Sequence, residues 1–107
     1  EIVFLNMTID APSDMDLFDT VSVVFDEPAI ELKKEVFRLE QEIDSVWTVV
    51  DFDFYQDSVN SLGYYIQRKW KYGESYQLSV DSAVIYSLYG KWNDKFLLRA
   101  LVYQHPG

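Results

Sequence analysis

The chain has no cysteine in 107 residues. That removes disulfides, thiol nucleophiles and cysteine-bound zinc, and leaves the compartment open. Histidine occurs once, at His105 close to the last residue, and neither a Ser-His-Asp triad nor a histidine-ligated metal site is expected around it. The four glycines are isolated, which excludes a glycine-rich phosphate loop, and with the three prolines they act mainly as punctuation. No apolar run approaches the roughly 20 residues that cross a bilayer, so no membrane insertion is expected. Bases are scarce where acids are dense: residues 1–60 hold 15 acids against 3 bases, and residues 61–107 hold 3 against 6. A chain of net charge −9 repels phosphate backbones, and nucleic acid is not an expected partner.

What remains fits one domain with a core of ordinary size. The aromatic share of 17 % is high and favours strands. Residues 2–9, 20–26, 47–55, 63–70, 76–80 and 96–103 read as strands. In 47–55, Thr48, Val50, Phe52 and Phe54 share one face. Residues 29–44 are ambiguous: 35–42 reads as a short strand on an exposed edge, with a charged helix over 29–44 as the alternative. About seven strands result, which predicts an all-β, immunoglobulin-like antiparallel sandwich, against an α+β fold if the helix forms.

The most informative stretch is 70–94. Tyr76, Leu78 and Val80 alternate with Gln77 and Ser79, the period of a half-buried strand. Tyr76 opens that strand after the Gly73 turn and two residues before a core position, the layout of a tyrosine corner. A second turn follows at Gly90. Tyr76, Gly73 and Gly90 are therefore structural residues.

The chemical signals are weaker. Asp10, Asp14, Asp16 and Asp19 crowd one connection and offer the oxygen ligands Ca²⁺ takes. Their spacing fits no EF-hand, so a solvated loop is the preferred reading and no cofactor is expected. Asp51 and Asp53 leave one strand face and match a glycosidase pair only loosely, the outer face of an amphipathic strand being the plainer explanation. Asp57 and Asp94 are turn residues. Trp47, Tyr55, Tyr65, Tyr72, Tyr86, Tyr89 and Trp92 suit the core or its rim. A carbohydrate-stacking platform is the alternative, with Trp92, Trp47 and Tyr89 as its candidates.

Residues 21–28 (strand, acid, proline), 72–83 and 89–93 together resemble the bacterial Ig-like domains found in tandem in surface proteins and lipoproteins of Gram-negative bacteria. The resemblance implies a non-catalytic module, a spacer or adhesion-type domain, in a longer exported chain. Its partners would be neighbouring domains of that chain, and a glycan or protein ligand. A targeting segment outside these residues and a monomeric state are expected with it.

Overall fold

The computed structural model describes residues 3–12 and 18–101, with side chains as far as Arg99. Eight strands form two antiparallel sheets: β1 (Met7–Asp10), β2 (Thr20–Phe25), β3 (Phe37–Ile43), β4 (Val46–Val49), β5 (Asp53–Gln56), β6 (Gly63–Gln67), β7 (Ser75–Val80) and β8 (Phe96–Leu101). One sheet runs β1-β2-β6-β5 and the other β4-β3-β7-β8. This is the immunoglobulin order, A-B-E-D facing C-F-G, with one further strand beside C. Alternate residues of both sheets meet in one core: Val21, Val23, Phe25 and Ile66 from the first, Phe37, Leu39, Tyr76, Leu78 and Val80 from the second. Phe37 and Phe54 join the sheets ring to ring at 5.3 Å, and Phe54 stacks on Tyr64 at 5.4 Å.

Two expectations need correction. The helix over 29–44 is absent, apart from one 3₁₀ turn at Lys34–Val36. The strand that follows is not an edge either, because β3 pairs with β4 on one side and β7 on the other. Its charges (Arg38, Glu40 and Glu42) occupy the wet face, while Phe37, Leu39 and Gln41 point inward and are buried. A charged segment can be an interior strand when only one face is covered.

The expected single strand over 47–55 is two strands in different sheets. The chain crosses between them at 50–52: Val50 N–H still donates to the Leu39 carbonyl at 3.0 Å, and beyond it side chains take over from the ladder. Arg68 Nη1 donates to the Asp51 carbonyl at 2.7 Å, and Lys34 Nζ to the Phe52 carbonyl at 3.2 Å. Phe52 is buried over the core edge. Phe52 and Phe54 keep their alternation through the crossing because both sheets face the same core. Strand β1 begins at Met7, later than expected, and the ends of the first and last expected strands fall outside the described residues.

The register fixes the poles. Met7 pairs with Phe25, and Phe37, Val80 and Phe96 line up across the second sheet. Residues 3–6, 26–36 and 81–95 therefore gather at one pole, and 68–74 lies at the other.

Candidate interaction surface

The first pole is built around Asn93, which is completely buried. Its Oδ1 accepts the N–H groups of Val84 (3.1 Å) and Ile85 (2.9 Å), and its Nδ2 donates to the carbonyls of Asp81 (2.8 Å) and Asp94 (2.9 Å). All four side-chain positions are used, so a long connection that would otherwise expose its backbone becomes rigid. The buried Ser87 hydroxyl adds a second knot, accepting N–H bonds from Tyr89 (3.2 Å) and Lys91 (3.1 Å).

Around these anchors three extended segments pair. Ala29 bridges Ser87 and Tyr86 bridges Trp92, both antiparallel. Ile30 N–H donates to the Tyr86 carbonyl (2.7 Å), Leu88 N–H to Pro28 (3.0 Å), Ser87 N–H to Lys91 (2.8 Å) and Asn93 N–H to Ile85 (3.2 Å). Strand alternation then separates two faces. Ile85, Ser87 and Asn93 point inward and are buried. Ile30, Tyr86 and Trp92 stand side by side outward, with exposures of 46 %, 48 % and 38 %. Val84 and Leu88 flank Tyr86 on the same face, and Tyr89, in the turn that follows, is 74 % exposed. Leu5 N–H joins the edge at the Trp92 carbonyl (2.8 Å), with Val3 and Phe4 exposed just before it.

The patch is held as well as displayed. Glu31 (φ 45°) and Ala83 (φ 57°) adopt left-handed backbone that non-glycine residues resist. Such strain persists only where surrounding bonds over-determine it, and it gathers at functional surfaces. Beneath the patch Lys91 Nζ lies 2.7 Å from Glu27 Oε2. The Lys91 ammonium, helped by the Ser87 hydroxyl, holds the Glu27 carboxyl below its usual range, and Lys91 itself is raised by the same contact.

Of the candidate platform residues, Trp92 and Tyr89 sit here. Trp47 does not: it pairs with Glu42, near the far end of β3, and is half-buried on β4. None of the seven aromatics named from sequence is buried; the core rings are Phe25, Phe37, Phe52, Trp70 and Tyr76. Tyr86, Ile30 and Leu88 belong to the surface but were not singled out together. The local sequence carries no clear signal for it, because Val84-Ile85-Tyr86-Ser87-Leu88 is apolar at every position but Ser87 and does not tell the inward face from the outward one.

The other candidates are accounted for locally. Tyr76 is buried at the opposite pole, where its hydroxyl accepts the Lys71 N–H at 3.0 Å and its ring meets Trp70 edge-on at 4.9 Å. Gly73 and Gly90 both take left-handed φ, 76° and 84°, in their turns. Asp10 is exposed at the end of β1, and Asp14, Asp16 and His105 lie outside the described residues. Among the described residues no group of three or more acids or histidines could hold a metal. No described helix is long and apolar enough to cross a membrane.

A cleft of about 780 Å³ opens where the chain leaves β4, lined by Lys34, Arg38, Glu40, Val49, Asp51 and Ser79. Asp51 is tied to Lys34 at 2.7 Å, and Glu40 accepts from Gln77 (3.0 Å) and lies 3.6 Å from Arg38. Lys34 holds the Asp51 carboxyl below its usual range. Asp53 stands on β5, past the crossing. Asp57 accepts the Val59 and Asn60 N–H groups and the Tyr65 hydroxyl within its turn. No protein-family model matches the chain, and no curated protein or solved structure matches it either.

Proposed function

We propose that this domain is a non-catalytic structural and interaction module whose contact surface is the outward row Ile30, Tyr86 and Trp92. The observation that supports this reading most is the construction of that surface. Buried polar residues and strained backbone are used to hold large apolar side chains in water, where each costs transfer free energy of about 25 cal/mol per Å² left exposed. Contiguous exposed apolar surface of this kind marks contact sites more often than chance. A spacer role is compatible with it, since β1 begins at the patch pole and β8 runs away from it. The setting in an exported bacterial surface protein rests on the resemblance of residues 21–28, 72–83 and 89–93.

A second reading, carbohydrate binding, is supported by Trp92 and Tyr89 being exposed on one rigid connection. Trp47 takes no part in it. One experiment tests both: the chain and a Tyr86→Asp/Leu88→Asp variant are screened side by side on a glycan array and against a displayed random-peptide library. Binding lost in the variant, with an unchanged melting temperature, supports an interaction module. Failure to find any patch-dependent binding on either panel overturns it.

A further inference from the structure

The charge around the patch narrows what can dock there. Asp26, Glu31 and Asp94 are exposed and flank it by sequence register: Asp26 and Glu31 bracket the Pro28–Ile30 segment, and Asp94 lies across from Val84. Nearby bases do not balance them. Lys91 is committed to Glu27 and Lys34 to Asp51, which leaves Lys33 and Lys95. The rim is net acidic around an apolar centre.

That combination disfavours a second copy of the chain, because a two-fold contact through this face would set the same carboxylates against each other. It also disfavours a sugar as the main ligand. Three of the outward side chains, Ile30, Val84 and Leu88, are aliphatic and offer no ring face. Asn93 and Ser87, whose amide and hydroxyl would read hydroxyl groups, are buried and already bonded to backbone. Building on the interaction reading above, we infer that the patch takes a protein segment with bulky apolar side chains flanked by lysine or arginine. The apolar residues cover Tyr86, Leu88 and Trp92, and the flanking cations meet the acidic rim or the exposed faces of Tyr86 and Trp92.

The probe is a displayed library of random linear peptides, followed by synthesis of the enriched sequences and titration against the whole chain. The expected result is enrichment of peptides that carry both large apolar residues and Lys or Arg. Their affinity should fall about tenfold or more for Tyr86→Asp and for Leu88→Asp, the scale of losing a central contact. It should fall about fivefold for Glu31→Gln/Asp94→Asn, and similarly when salt rises from about 0.05 M to about 0.5 M. Enriched peptides that are acidic or uncharged, or that bind the rim variant as well as wild type, overturn the inference while the interaction reading stands. Patch-dependent binding to glycans alone does the same. Peptides insensitive to both patch variants overturn both.

Discussion

The two poles of the sandwich solve the same problem in opposite ways. At one, the connection between β6 and β7 is fixed by burying aromatic rings. Trp70 and Tyr76 pack edge to face, and their polar tips bind backbone, Trp70 Nε1 to the Asp19 carbonyl at 2.7 Å and Tyr76 through the Lys71 N–H. At the other, the connection between β7 and β8 is fixed by a buried amide, Asn93, and the rings of Tyr86 and Trp92 stay outside. An aromatic-rich chain can thus use its rings as anchors at one end because a small polar residue performs that task at the other. Which rings are anchors and which are displayed is decided by the anchor available. Aromatic content alone does not decide it.

Truncating the anchors would break this comparison most directly. Trp70→Ala removes the largest fully buried side chain and should cost about 4 kcal/mol. Chemical denaturation would read this as a lower midpoint, and a loss under about 1 kcal/mol would mean that this pole is held by something else. Asn93→Ala should cost about 3 kcal/mol, since two N–H and two carbonyl groups lose their partner at once. Hydrogen exchange should locate that loss in 81–95, with the opposite pole keeping its protection.

Tyr76→Phe keeps the ring and deletes one hydrogen bond, so about 1 kcal/mol is expected. A cost near that of Trp70→Ala would show that the hydroxyl, and not the ring, anchors the turn. The smallest effect concerns pH. Glu27 is held below its usual range by Lys91, so its contribution is present above the ordinary glutamate pKa of about 4.3 and fades as pH falls through the lower folded value. Acid titration followed by hydrogen exchange should show 84–92 loosening first, and Glu27→Gln should remove that early step.

The strand after Gly73 was legible because alternation and a glycine turn agree there; Tyr76 is buried on it, its hydroxyl accepting the Lys71 N–H. Other local features carried no such signal. The β3–β4 hairpin turns through Asp44 and Ser45, both at positive φ (51° and 65°), as a tight two-residue turn requires, but without the glycine that advertises one. The crossing at 50–52 was invisible for a different reason: a period of two is preserved when a chain moves between sheets that share a core.

By itself the sequence determined that the regular structure of the chain is strand, through a period of two repeated along it, and left 29–44 open between strand and helix. That period is a local property, set by residues a few positions apart. Tertiary structure alone decided that β3 is interior, that Trp47 lies apart from Trp92, and that Ile30 stands beside Tyr86. Those neighbours are brought together by pairing between segments distant in the chain, Gln41 with Tyr76 and Ala29 with Ser87 among them. Periodicity reports which face a side chain takes, and only the assembled sheets report what stands next to it.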